Sequence, residues 1–196
     1  MVLAELGWTS DRAEEFVPFA SQGWTPGRIA REHKHIYTVY GEAGEWNARV
    51  SGKYRHEAGG KADFPAVGDW VALEARPEEG AATIHALPSR RGSFSRKVAG
   101  GTVNEQVIAA NVDTAFLVSG LDGDFNARRI ERYLTLAWES GTTPVIVLNK
   151  ADLCDDVNAR VTETEAIAFG VPVCAVSATE NLDMAAIGIY ITIGKT

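Results

Sequence analysis

Two unbroken apolar runs, Thr114-Ala115-Phe116-Leu117-Val118 and Pro144-Val145-Ile146-Val147-Leu148, flank a segment with helical spacing. A strand with no polar alternation must be covered on both faces, which is the signature of a parallel sheet under helices. Between the runs, Ile130, Leu134, Ala137 and Trp138 fall on one helical face, with Asn126 a suitable N-cap and Gly141 just past the end. A second helix is expected from about Asp156 to Phe169, stopped by Gly170, and a third strand over Val171 to Val176. Strand, helix, strand, helix, strand is the grammar of an open α/β sheet.

Such sheets bind ligands at the carboxyl ends of their strands. Directly after the second run stands Asn149-Lys150-Ala151-Asp152, and directly after the third strand Ser177-Ala178. An N-K-x-D turn suits guanine. A carboxylate accepts two parallel hydrogen bonds and matches the adjacent N1–H and N2–H₂ donors of guanine, a pair that adenine lacks, so Asp152 is the expected base selector. The Asn149 amide can meet the N7/O6 edge and hold neighbouring loops. The apolar stem of Lys150 can lie over the base with its charge in solvent. Ala178 is small enough for a backbone N–H to approach O6, and Ser177 is expected to brace Asp152. A bare N-K-x-D also arises as an ordinary polar turn; the strand before it and the matching strand and Ser-Ala after it are what give it weight.

Upstream the texture differs. From His35 to about Pro88, short runs rich in β-branched and aromatic residues alternate with Gly-rich punctuation: Ile36 to Tyr40, Trp46 to Gly52 with Lys53 to His56 as an extension, Val67 to Leu73, and Ala82 to Leu87. Four or five short strands predict a small all-β barrel of OB type, an architecture that commonly holds oligonucleotides. Before it, a short helix is expected over Asp11 to Ala20, with Ser10 as N-cap and Pro18 ending it early. The boundaries expected are residues 1–34 as an N-terminal extension, 35–90 as the barrel, 91–111 as a connector and 112–196 as a partial α/β domain.

Charge divides the same way. The net charge is −7, yet residues 49–97 hold nine basic and six acidic residues, whereas the last 96 residues carry the whole excess of acid. Candidates for RNA contact are Arg49, Lys53, Tyr54, Arg55, His56 and Lys61 around one strand and loop, and Arg90, Arg91, Arg96 and Lys97 in the connector, since RNA recognition pairs cations with aromatics. The alternative is a solvated surface with Tyr54 packed in the core. Trp46 and Trp70 read as core, and His33, His35 and His85 as structural or surface residues. Cys154 and Cys174 have no partner at metal spacing, so two reduced thiols in a cytoplasmic protein are expected. No metal ligands and no catalytic residue are assigned.

A nucleotide hydrolase also needs G-x-x-x-x-G-K-[ST], whose amides cradle the phosphates. The 148 residues before Asn149 contain none, and the terminal Gly194-Lys195-Thr196 fails because Ile189 occupies the first glycine position. Nor does D-x-x-G occur. These absences leave either an inactive chain or a rearranged order in which the phosphate loop comes later.

Leu87-Pro88-Ser89-Arg90-Arg91-Gly92-Ser93-Phe94-Ser95-Arg96-Lys97, Glu105 to Asp113, Arg132-Tyr133-Leu134 and Val145 to Leu153 together carry a resemblance. The chain resembles the circularly permuted GTPases of the ribosome small-subunit-dependent GTPase A family over nearly its whole length. Asn181, where that family often has Gly, is a minor departure. The resemblance implies an OB barrel followed by guanine-reading motifs, then a phosphate loop, switches and a zinc-binding domain. It also implies a late-acting assembly factor that hydrolyses GTP to GDP with Mg²⁺, is stimulated by the small ribosomal subunit, and contacts its rRNA through the barrel. These residues alone are expected to be inactive as a hydrolase. The alternative is a non-catalytic RNA-binding module with a vestigial α/β half.

Overall fold

Short strands between Thr25 and Ala86, most of them with alternate residues buried, close into a barrel in the computed structural model, which describes residues 2–98 and 104–196. Its strands are β1 (Thr25–His33), β2 (Ile36–Gly41), β3 (Gly44–Val50), β4 (Trp70–Arg76) and β5 (Ala81–Ala86). The order around the barrel is β1-β2-β3-β5-β4, with β4 pairing antiparallel to β1 to close it and β3 running parallel to β5. Ile29, Tyr37, Val39, Trp46, Ala48, Val50, Val71, Leu73, Ala82 and Ile84 fill the interior. Closure leaves no unpaired edge, which removes the usual aggregation hazard of a small sheet.

The structure departs from the sequence expectation at several points. First, β1 belongs to the barrel, so residues 1–34 are not a separate extension. Pro26 and Gly27 disguise the strand, but Pro is tolerated near a strand start. A Cβ at Gly27 would stand 2.5 Å from Leu73 Cδ2 and 2.6 Å from Val39 Cγ1, so the barrel interior requires glycine there. Second, Lys53 to His56 do not extend β3. They lie in a short helix, α2 (Gly52–Glu57), because Ser51 Oγ caps it by accepting the Tyr54 N–H at 3.1 Å. Third, residues 91–111 are no plain connector. β6 (Ser93–Val98) and β7 (Asn104–Ala110) pair antiparallel, and the Ala110 N–H donates to Val67 O at 2.8 Å.

The preceding helix, α1 (Ser10–Ala20), is capped by Thr9 rather than Ser10, and Pro18 lies within it without ending it early. The buried Arg12 donates to Asn111 Oδ1 at 3.0 Å, and both Arg12 and Arg28 lie over the Trp70 ring, which Trp8 meets edge-on. Trp46 and Trp70 are both buried.

A second compact unit spans Asp113–Lys195. Its parallel sheet has the order β10-β9-β8, from β8 (Thr114–Gly120), β9 (Thr143–Asn149) and β10 (Val173–Ala175). One face packs on α3 (Ala127–Glu139) and α4 (Val157–Ala168) through Leu121, Ile130, Leu134, Ile146 and Leu148. Val145, Val147 and Val176 face the other way and meet Met184, Ile187 and Tyr190, around the short α5 (Ala185–Gly188). Asn126 Oδ1 caps α3 through the Arg129 N–H, and Asp156 Oδ1 caps α4 through the Ala159 N–H. Phe169 ends α4 in the left-handed conformation with φ 51°, a strained choice for an aromatic residue. No helix among the described residues is long and apolar enough to cross a membrane.

Candidate functional site

The carboxyl ends of β8, β9 and β10 converge because the strands are parallel and in register: Gly120 sits opposite Asn149, and Ala175 opposite Leu148. The chain leaves β9 through Lys150 at φ 64°, ψ 39°, then makes a single 3-10 turn over Ala151–Leu153. That left-handed residue reverses the backbone at the end of the sheet, so that Asn149, Lys150 and Asp152 are all presented there. Backbone hydrogen bonds fix the three loops to one another. Leu121 N–H donates to Asn149 O at 2.8 Å, and Ala151 N–H donates to Val176 O at 3.0 Å.

Asn149 Oδ1 accepts the Ala178 N–H at 3.0 Å, so the two motifs separated in sequence are joined by one side chain. With Oδ1 engaged, the amide nitrogen of Asn149 remains as a donor, suited to acceptors such as N7 and O6 of a purine. Two details differ from the sequence expectation. The Ala178 N–H is committed to Asn149 rather than left open to the ligand. Ser177, 1 % exposed, does not brace Asp152; its Oγ accepts the Glu180 N–H at 3.2 Å, and its backbone pairs with Leu182. A serine one residue before a turn finds the turn's own amide sooner than a distant carboxylate. The Asp152 carboxylate is exposed and accepts no hydrogen bond from the protein among the described residues. It therefore stands ready to accept two donors from a ligand.

Lys150 pairs with Asp122, from the loop after β8. The hydrogen bond from Lys150 holds the Asp122 carboxyl below the ordinary aspartate range, helped by the Asp124 N–H, and the same bond raises the Lys150 ammonium. Sequence reasoning missed Asp122, since nothing in a lone aspartate after a strand announces a partner 28 residues on.

On the barrel unit, Arg90 is not a free cation. Its guanidinium donates to both Asp69 oxygens (2.7–3.2 Å), to Ala62 O at 2.7 Å and to Phe64 O at 2.8 Å. Asp69 is fully buried, so Arg90 is the structural counter-charge that permits it, and Arg90 leaves the set of RNA candidates. Tyr54 is half-buried against the barrel core and donates its hydroxyl to Asp63 O at 2.5 Å. Burial, the largest cause, pushes its phenol well above the usual tyrosine range, so it too is spent on structure. Arg49, Lys53, Arg55 and Lys61 are exposed, although Lys53 sits 3.9 Å from Glu57. Arg91 is exposed and reaches Asp11 at 3.6 Å. The side chains of Arg96 and Lys97 lie outside the described residues. Among the described residues no group of His, Cys, Asp and Glu could hold a metal ion.

The RsgA GTPase family model matches residues 87–195, more than half of the chain. A small ribosomal subunit biogenesis GTPase RsgA of Opitutus terrae is 44% identical across the whole chain and 56% of its own length. The protein of the same name from Syntrophotalea carbinolica is also 44% identical, over 91% of this chain and 50% of its own. The chain thus spans about half the length of these curated relatives. Among solved structures, YjeQ from Thermotoga maritima superposes with a TM-score of 0.69 at 25% identity, covering 86% of this chain and 57% of that one. YloQ, described as a circularly permuted GTPase, superposes with a TM-score of 0.61 at 23% identity and shares the fold.

Proposed function

The chain belongs to the RsgA GTPase family, and from that premise we propose that its α/β unit reads the guanine base of GTP or GDP while its barrel, of OB type, contacts rRNA of the small ribosomal subunit. The reading rests above all on the Asn149 Oδ1 to Ala178 N–H bond, which unites two loops next to Asp152, whose carboxylate accepts no hydrogen bond among the described residues. In it, Asp152 accepts the guanine N1–H and N2–H₂, the Asn149 amide donates to the N7/O6 edge, and the Lys150 stem covers the base. Ser177 holds its loop rather than the ligand.

The homologues are named small-subunit biogenesis GTPases, which supports a whole protein that hydrolyses GTP during assembly of that subunit in the cytoplasm. GTP hydrolysis also demands groups that cradle and neutralise phosphates, and these 196 residues hold no G-x-x-x-x-G-K-[ST]. We therefore assign them base recognition and RNA contact, not hydrolysis. For Mg²⁺ and zinc, implied by the family resemblance, the described residues hold no group of three or more His, Cys, Asp and Glu side chains that could bind either.

Substituting Asp152→Asn tests the assignment by chemistry. An amide can accept from N1–H and donate to the 2-oxo group of xanthine, but it cannot accept two donors from guanine. Titration of the ¹⁵N-labelled chain is expected to show GMP preferred over XMP in the wild type and the preference lost or inverted in Asp152→Asn. Unchanged selectivity would remove Asp152 from its role.

A further inference from the structure

The loop after β8 is built, not incidental, and what it presents is a carboxylate aimed at Lys150. Leu121, 5 % exposed, buries its side chain in the core, while its N–H donates to Asn149 O at 2.8 Å. Asp122 Oδ2 takes the Lys150 ammonium, and its other oxygen accepts the Asp124 N–H at 3.2 Å. Asp124 in turn is gripped by Arg129 from the first turn of α3, at 3.1 and 2.9 Å. A helix is thus connected through two aspartates to one lysine. Gly120 makes room for the arrangement: a Cβ there would stand 2.7 Å from Asp122 Oδ1 and 3.7 Å from Lys150 Cδ.

A lysine stem has four rotatable bonds and ordinarily wanders. We infer that Asp122 is a positioning residue that holds the Lys150 ammonium at the β8 end of the sheet, so that the stem is laid in advance where a guanine ring must stack. This inference rests on the guanine reading. Asp122 touches no base itself; it acts through Lys150, with Gly120 and the Arg129–Asp124 pair keeping it in place. The pair is partly solvated, so its effect on binding is expected to be modest and to weaken with salt.

The experiment is an amide-shift titration of the full chain with GMP, in wild type, Asp122→Asn, Lys150→Ala and the double variant. A melting curve of each and a parallel series at high salt serve as controls. Asp122→Asn is expected to weaken GMP binding about three- to tenfold with an unchanged melting temperature. It should cost nothing further in the Lys150→Ala background, and Asp122→Glu should restore part of the loss. Equal GMP affinity in wild type and Asp122→Asn overturns the positioning role alone, as does a loss that adds fully to that of Lys150→Ala. If GMP moves no amide of Asn149 to Asp152 even in the wild type, the guanine reading falls and the positioning role falls with it.

Discussion

A single residue changes meaning once its partners are known. Arg90 reads from sequence as one of a cluster of connector cations, yet among the described hydrogen-bond partners of the buried Asp69 carboxylate its guanidinium is the only charged one. Removing one member of such a pair leaves an uncompensated charge, so Arg90→Ala is expected to destabilise the chain by about 3–5 kcal/mol. Arg91→Ala, at an exposed site, should cost no more than about 1 kcal/mol. Chemical denaturation of the two variants makes the comparison, and equal midpoints would refute the distinction. Tyr37 offers a pH signature. Burial, with a smaller contribution from Glu32, pushes its phenol up to about 12. The folded value exceeds the unfolded one, so the neutral phenol contributes its full stability below about pH 10. That contribution is lost as pH rises through about 12. Tyrosinate absorbance from Tyr37 should therefore develop near pH 12 rather than near pH 10. Titration near pH 10 in an intact fold would contradict its burial.

At the scale of elements, legibility followed hydrophobic period. β9, α3 and α4 were readable because a doubly covered strand is apolar throughout and each helix carries its own cap, Asn126 and Asp156; β8 was readable as an apolar run, although its Val118 is exposed rather than covered. β1 was not, because its glycine answers to Leu73 and Val39, which are far away in sequence. α2 was missed because six residues carry too little periodicity to outweigh the β-like run before them, and only the Ser51 cap decides. The β6–β7 pairing was hidden because β6 is polar and basic and the apolar end of β7, Val107 to Ala110, does not alternate. The candidate-site residues Asn149, Lys150, Asp152, Ser177 and Ala178 could be named from sequence, but the contacts among their loops, and the one between Asp122 and Lys150, depend on loop geometry that sequence spacing does not encode. Of the barrel cations singled out for RNA contact, Arg49, Arg55 and Lys61 are exposed and stand in no ion pair among the described residues, and they now carry the RNA proposal. Reversing the charge of Arg55 and Lys61 together should weaken binding to small subunits and lower the salt slope by roughly one per lost phosphate contact. Co-sedimentation that is indifferent to both changes across a salt series would exclude them as phosphate contacts.

For the molecule as a whole, the division into two units matches the proposed division of labour: a barrel with exposed cations, proposed to contact rRNA, and a sheet whose two loops are proposed to read a base. These residues carry the N-K-x-D and Ser-Ala motifs on which the guanine proposal rests, without a G-x-x-x-x-G-K-[ST] loop. Phosphates should then add little, and calorimetry is expected to give GDP no more than about a tenfold advantage over GMP, or no measurable heat for either, with or without Mg²⁺. Binding of GDP several orders tighter than GMP would reveal a phosphate site outside the residues discussed. The most direct measurement is the comparison of GMP with AMP at millimolar concentration by amide shifts of the ¹⁵N-labelled chain. GMP should move the amides of Asn149 to Asp152 and of Ser177 and Ala178, and AMP should leave them still. Equal responses to the two nucleotides, or shifts confined to the barrel, would contradict guanine recognition by this pair of loops.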